Sequence, residues 1–220
     1  MSEKRVILFD LGRVLIDFDH RLAVEKISKH CAITEEEIYA LFFDSCLTDR
    51  YERGKITSLQ FFQELKSLLT LSLGYEEFVP IWNEIFTPHP GMLEMLEGLK
   101  ERHDLYMVSN INELHYQYLA ETFPEYFNCF RHLFLSYELK MRKPDEEIYS
   151  FILSFLKLPA RQVIYIDDRP ELVAAARRLL FDAFVFVSTE DCRQQLEKRS
   201  IGFSAPLFLN GADVVKNHGH

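Results

Sequence analysis

Four polar stops carry the chemistry in this sequence. Asp10 follows the apolar run Val6-Ile7-Leu8-Phe9, Ser109-Asn110 follows Leu105-Tyr106-Met107-Val108, and Asp167-Asp168 follows Val163-Ile164-Tyr165-Ile166. Lys143-Pro144 stands between the second and third. An acid placed directly after a buried run is costly unless something pairs with it. Three carboxylates brought to one point would repel and raise each other's pKa. A hard divalent cation resolves that conflict, and Mg2+ takes few protein oxygens while leaving room for water and a phosphate. Lys143 adds positive charge, and Ser109 with the backbone N–H groups at the following helix start adds neutral donors. Such a site holds a phosphoryl group beside a carboxylate. The carboxylate can attack phosphorus and form an aspartyl-phosphate that water then cleaves.

The elements that must position these residues are legible in outline. The runs 6–9, 105–108, 133–135, 163–166 and 183–187 read as strands, the first buried on both faces. Helical patterns fill 91–102, 113–122, 145–157 and 170–181. Strand alternating with helix predicts an α/β architecture, a Rossmann-like parallel sheet. In such sheets ligands gather at the carboxyl ends of the strands, where all three acidic or Ser-Asn stops lie.

One connection is far longer than the dozen or so residues a crossover needs. From about residue 17 to about residue 90 no strand is expected, and the apolar spacing is helical. Ala23, Ile27 and Cys31 form one stripe, and Ile38, Leu41, Phe42 and Cys46 a second. Phe61, Leu65, Leu68 and Leu69 form a third, and Phe78, Ile81, Trp82 and Ile85 a fourth. Thr34…Glu37 and Thr57…Gln60 read as capping boxes. The expected organisation is an α/β core of residues 1–17 and 88–203, a four-helix domain inserted at 18–87, and a loose tail at 204–220.

Composition narrows the partners. A net charge of −9 opposes nucleic acid and anionic membrane surfaces, yet leaves room for a local cationic pocket that takes a phosphate. No run approaches the roughly 18 apolar residues of a membrane span, and Ser2-Glu3-Lys4-Arg5 leads straight into a strand, so neither a leader nor a span is expected. Cys31, Cys46, Cys129 and Cys192 lack regular spacing and read as thiols of a cytoplasmic protein. The eight histidines show no zinc-ligand spacing. Nothing in the sequence signals an oligomeric state.

The order Asp10, Ser109-Asn110, Lys143-Pro144, Ile166-Asp167-Asp168 resembles the four motifs of the haloacid dehalogenase superfamily, over about residues 4–203. The helical insertion after the first motif resembles the α-helical cap of its first subfamily. The stretches "FDLGRVL", "YERGKIT", "MRKPD" and "IDDRPE" are similar to bacterial phosphatases acting on glucose 1-phosphate and to the phosphatase domain of soluble epoxide hydrolases. The resemblance implies a Mg2+-dependent phosphomonoesterase acting on a small phosphorylated metabolite. Asp10 is then nucleophile and magnesium ligand, and the carbonyl of Gly12 a second ligand. Ser109 and Asn110 bind the transferring phosphate, and Lys143 neutralises it and holds Asp10. Asp168 binds Mg2+ directly, with Asp167 beside it or through water.

The sequence departs from the family where most of its phosphatases carry a second Asp, two residues after the nucleophile, as general acid and base. Here stands Gly12, followed by Arg13. Proton donation of that kind is worth roughly 10²–10⁴-fold in rate. Either the leaving group departs with little help, as the anomeric oxygen of a hexose 1-phosphate would, or another group donates; Asp17 and His20 are near in sequence. Leu172 replaces an Asn common in relatives. These departures favour the main competitor, a non-catalytic phosphate-binding or scaffold protein. A dehalogenase has no use for Asp167 and Asp168, and a phosphomutase needs the acid missing at Gly12. Ser109 could simply cap the next helix. Arg50, Tyr51 and Arg53 read as surface residues of the insertion, and Trp82 as part of its core.

Overall fold

The computed structural model describes residues 5–43 and 45–204; apart from Ser204, the expected tail lies outside the described residues. Seven strands are β1 (Val6–Phe9), β2 (Ile16–Phe18), β3 (Phe86–Pro88), β4 (Asp104–Ser109), β5 (His132–Leu135), β6 (Val163–Asp167) and β7 (Asp182–Val185). The helices of the insertion are α1 (Arg21–Ser28), α2 (Glu35–Phe43), α3 (Cys46–Glu52), α4 (Ser58–Leu69) and α5 (Tyr75–Asn83). Those around the sheet are α6 (Met92–Lys100), α7 (Glu113–Thr122), α8 (Pro124–Phe127), α9 (Ser136–Leu139), α10 (Glu146–Leu156), α11 (Pro170–Arg178) and α12 (Thr189–Lys198).

Five strands form one parallel sheet in the order β5-β4-β1-β6-β7. Central β1 is buried throughout because its alternate side chains serve two cores. Ile7 and Phe9 pack with residues of α6, α7 and α12 on one face; Val6 and Leu8 pack with α10 and α11 on the other. The insertion has a separate core around Phe42, Phe61, Phe78 and Trp82. Both expected capping boxes are present at Thr34 and Thr57. Trp82 lies in that core, as expected.

The insertion differs from the sequence reading in two respects. It holds five helices rather than four, because Ser45 takes an extended conformation and accepts the Thr48 N–H, starting α3 where the apolar stripe suggested a continuation of α2. Its two ends are also not strandless. β2 and β3 pair antiparallel, Phe18 opposite Phe86, in a ribbon of three residues each, too short to leave a period in the sequence.

Tyr51 departs from the sequence reading as well. Far from the surface, it stacks on Phe61 at 4.4 Å, donates from its hydroxyl to Ser58 Oγ and accepts from Leu114 N, so it joins the insertion to α7. Arg50 pairs with Glu64, and Arg53 with Asp49 and Asp145. Gly54 adopts φ +55°, and a Cβ there would meet the Tyr137 carbonyl oxygen at 2.1 Å. Only glycine lets the chain turn against α9 at this point. Among the described residues no helix is long and apolar enough to cross a membrane.

Candidate active site

The register of the sheet builds the site. Phe9 of β1 pairs with Ile166 of β6, and Asp10 N donates to the Ile166 carbonyl at 2.8 Å. Asp10 and Asp167 therefore leave adjacent strands side by side. On the other flank Phe9 pairs with Met107, which places Ser109 at the same end of the sheet. Lys143 Nζ then bridges the first two, 2.7 Å from Asp10 Oδ1 and 2.7 Å from Asp167 Oδ2.

This pairing is deeply buried: Lys143 is 2% exposed and Asp167 not at all. Burial by itself would lower the Lys143 ammonium, but the two carboxylates outweigh it and hold the ammonium above its ordinary value. Burial raises the Asp10 carboxyl, Lys143 pulls it down, and Asp167 pushes it up again. Asp168 is raised by burial and then by Asp167. Asp167 is fully committed to protein donors. Its Oδ2 accepts from Lys143 and from the Tyr165 hydroxyl, and its Oδ1 from Arg169 N at 2.9 Å.

The fit to a metal can be tested on these carboxylates. Asp10, Asp167 and Asp168 each offer an oxygen within 4.8 Å of the others, and the one ammonium among them leaves negative charge in excess. A hard cation suits that donor set. Asp167 accepts three hydrogen bonds from the protein, so Asp10 and Asp168 are the less encumbered of the three.

Asp10, Gly12, Ser109, Asn110, Lys143 and Asp168 all line a chamber of about 460 Å³; Asp167 stands behind it. The role of Asn110 differs from a simple phosphate ligand. Its Nδ2 donates to the Lys143 carbonyl and its Oδ1 accepts from Lys143 N, both at 2.8 Å. The carboxamide thus grips the Lys143 main chain and helps to position the ammonium. Nor does Ser109 cap the next helix. Asn112 does, accepting from His115 N at 3.0 Å.

Above the charged floor the wall is aromatic, with Phe18, Phe42, Trp82 and Phe86 lining it beside His20 and His115. Sequence reasoning missed Tyr165, although its place two residues before Asp167 on one strand face was the available signal. It also missed Phe18. A Cβ on Gly12 would lie 2.8 Å from Phe18 Cε1, so the ring fills the space into which a side chain at 12 would grow. The Arg13 guanidinium lies over the same ring, 5.2 Å from its centroid.

Neither neighbour replaces the missing acid. Asp17 is exposed, outside the chamber, on the opposite face of β2 from Ile16 and Phe18. His20 lines the chamber, but burial first and Arg13 second lower it to about 3. At neutral pH it is uncharged and has no imidazolium proton to give. His115 is neutral for a geometric reason as well. Asn112 spends its Oδ1 on the helix cap and presents its amide to His115 Nδ1 at 3.0 Å, so Nδ1 accepts and Nε2–H donates to the Trp82 carbonyl at 3.0 Å.

The sequence model for the haloacid dehalogenase-like hydrolases matches residues 4–179. A D-ribitol-5-phosphate phosphatase of Bacteroides thetaiotaomicron is 25% identical over 199 residues, 86% of this chain and 95% of that protein. A sesquiterpene phosphatase of Aspergillus oryzae is 27% identical over 177 residues, 79% and 85% of the two chains. Among solved structures, a haloacid dehalogenase family enzyme from B. thetaiotaomicron, in complex with magnesium and inorganic phosphate, superposes with a TM-score of 0.77 at 25% identity, covering 86% of this chain and 96% of that one.

Proposed function

We propose that this chain, which belongs to the haloacid dehalogenase-like hydrolase family, is a magnesium-dependent phosphomonoesterase that works through an aspartyl-phosphate on Asp10. The observation that carries the reading is the Lys143 ammonium held 2.7 Å from Asp10 on one side and 2.7 Å from Asp167 on the other, at the floor of a chamber that Asp168 and Ser109 also line. A free Asp10 oxygen attacks phosphorus in line with the leaving oxygen, the bond to that oxygen breaks, and water later cleaves the acyl phosphate. Lys143 balances charge on the transferring phosphoryl group, and Ser109 donates to it. Magnesium, held by Asp10, Asp168 and the Gly12 carbonyl, would neutralise phosphoryl oxygens and fix their orientation. Phosphoryl transfer passes through a loose transition state, so positioning and charge do most of the work.

The finer proposal concerns the substrate, a small polyhydroxylated phosphate with an easily released oxygen, of which a hexose 1-phosphate is the type. Gly12 offers no acid, Phe18 fills the space, Asp17 faces away and His20 is neutral. An oxygen that leaves without protonation must therefore be a good leaving group. A second reading, an alditol phosphate, takes its support from the name of the B. thetaiotaomicron relative. Rates of kcat/KM over a series of aryl phosphates, glucose 1-phosphate, glucose 6-phosphate and ribitol 5-phosphate, with and without Mg2+, separate the two. A steep dependence on leaving-group basicity, with the 1-phosphate ahead of the 6-phosphate, is the expected result. A flat series would mean that another group donates the proton, and no Mg2+-dependent turnover of any ester would sink the phosphatase reading itself.

A further inference from the structure

We propose that Arg13 is a catalytic residue of the same site: its guanidinium donates to the departing oxygen and balances the negative charge that an acid at position 12 would have discharged with a proton. The inference rests on the phosphatase reading above. Two independent observations single out Arg13, and the first is its backbone. Six described residues other than glycine have a positive φ: Arg13, Thr70, Lys140, Lys157, Leu180 and Ser200. The last five stand one or two residues beyond the ends of α4, α9, α10, α11 and α12, where a left-handed residue is the ordinary way to stop a helix. Arg13, at φ +57°, stops no helix. It lies between β1 and β2, three residues after Asp10, where glycine would be at ease and a side chain is not. The loop enforces this conformation. Arg13 N donates to the Ile16 carbonyl at 2.9 Å, while Leu15 N and Ile16 N both donate to the Leu11 carbonyl, at 2.9 and 3.1 Å. Backbone strain of this kind collects at functional sites.

The second observation is charge. The lysine and the other two arginines that line the chamber are paired: Lys143 with Asp10 and Asp167, Arg142 with Asp49 and Glu52, Arg169 with Glu171. Arg13 lines the chamber too, is exposed, and takes part in no ion pair among the described residues. Its guanidinium rests on the Phe18 ring, 5.2 Å from the centroid. That ring is the one whose Cε1 stands where a side chain on Gly12 would grow. The cation is therefore held beside the place an acid would have taken. Its field reaches both floor and wall of the chamber. At Asp168, which burial and then Asp167 raise, Lys143 and Arg13 act downward; at His20 it adds to burial in keeping the ring neutral.

A fixed positive charge suits this reaction. In a loose transition state the bond from phosphorus to the leaving oxygen is largely broken before the bond from Asp10 is complete, so the electron pair gathers on that oxygen. A guanidinium meets this charge without giving up a proton, because it stays protonated throughout the working pH range. Its N–H donors bind more strongly as the charge grows, so they lower the barrier rather than merely holding the ester. The P–O bond breaks, its electrons stay on the oxygen, and the alkoxide takes a proton from water. The hydroxide so formed is consumed when the aspartyl-phosphate is hydrolysed, which regenerates Asp10 and releases phosphate.

The test is the dependence of kcat/KM on leaving-group pKa, measured from p-nitrophenyl phosphate through less acidic aryl phosphates to glucose 6-phosphate. Wild type, Arg13→Gly and Arg13→Lys are compared. Since glycine accepts the left-handed conformation, Arg13→Gly should melt no lower than wild type, which separates a loss of rate from a loss of fold. Its rate should fall little on p-nitrophenyl phosphate and roughly 10²–10³-fold on glucose 6-phosphate, the effect of removing one donor to an oxyanion, and the fall should lie in kcat. Arg13→Lys keeps the charge and should recover part of the loss. Millimolar guanidinium ion should speed Arg13→Gly on glucose 6-phosphate and leave p-nitrophenyl phosphate unmoved. An equal loss on every ester, or a loss confined to KM, would make Arg13 an anchor for the bound phosphate and overturn the proposal. So would an unchanged slope. If Arg13→Gly does not fold, Arg13→Asn, which also tolerates the left-handed region, must show the same steepening. A wild type without Mg2+-dependent turnover of any ester would remove the phosphatase reading and this inference with it.

Discussion

Restoring an acid at position 12 is the most direct probe of how this site works. In Gly12→Asp the new Cβ would stand 2.8 Å from Phe18 Cε1, where ordinary contact begins at 3.4 Å, so the ring must retreat by about 0.6 Å. The backbone does not resist, since Gly12 is not among the residues with positive φ. The cost is therefore steric, and it falls on a ring wedged against His20 at 4.8 Å, Phe86 at 6.3 Å and the Arg13 guanidinium. Overpacking of this kind costs about 1–3 kcal/mol, and a chain of this size loses roughly 2–4 °C of Tm per kcal/mol. A working general acid should return roughly 10²–10⁴-fold on esters with poor leaving groups. The two effects oppose each other through Phe18. We expect Gly12→Asp alone to lower Tm by a few degrees and to give little gain on glucose 6-phosphate. Gly12→Asp with Phe18→Ala should gain at least tenfold on that ester over Phe18→Ala alone. The assay is a double-mutant cycle in Tm and in kcat/KM, read as the coupling between the two positions. Additive effects in the cycle, or a full gain from Gly12→Asp alone, would refute the idea that Phe18 contests the place of the acid.

Three further outcomes test the remaining assignments. Asp10→Asn should abolish turnover without lowering Tm, because it removes a buried carboxyl that burial already disfavours; retained activity would exclude Asp10 as nucleophile. Asp168→Ala should raise the Mg2+ concentration for half-maximal rate at least tenfold, and EDTA should silence the wild type; full activity in EDTA would point to chemistry on carbon rather than phosphorus. His115, lowered by burial from 6.5 to about 3, is neutral in the fold and takes a proton on unfolding below about pH 6.5. Its contribution is therefore complete above pH 6.5 and is lost as pH falls, by about 1.4 kcal/mol per unit, or roughly 2 kcal/mol at pH 5. Urea unfolding at pH 7 and pH 5 should show that loss reduced in His115→Gln relative to wild type, and an equal loss in both would refute it.

How much of this was legible depends on whether a residue's job is set by its own neighbours in sequence. Asp10 and Asp168 were legible because strands buried on both faces end abruptly at them, and a parallel sheet brings such ends together whatever lies between. Asn110 was legible as a site residue but not in its role, since its grip on the Lys143 backbone spans 33 residues and leaves no periodic trace. Tyr51 was misread because the charges around it suggest surface, whereas its ring is claimed by Phe61 and its hydroxyl by Ser58 and Leu114.

Gly12 shows the limit most sharply. Read along the chain, it is a missing acid and suggests a damaged enzyme. Read in space, the vacancy is filled, because the three-residue ribbon folds back and sets Phe18 where that side chain would have been. Alternation along Ile16-Asp17-Phe18 dictates the outcome. The register that buries Ile16 and turns Phe18 toward the site must turn Asp17 away from it, so the nearest acid in sequence is the one the fold excludes. A degenerate site would have no reason to lock Lys143, Asp167 and Tyr165 together beside an idle Asp168. Gly12 is better understood as one half of a Gly12–Phe18 pair in which an aromatic ring stands where the side chain at 12 would grow.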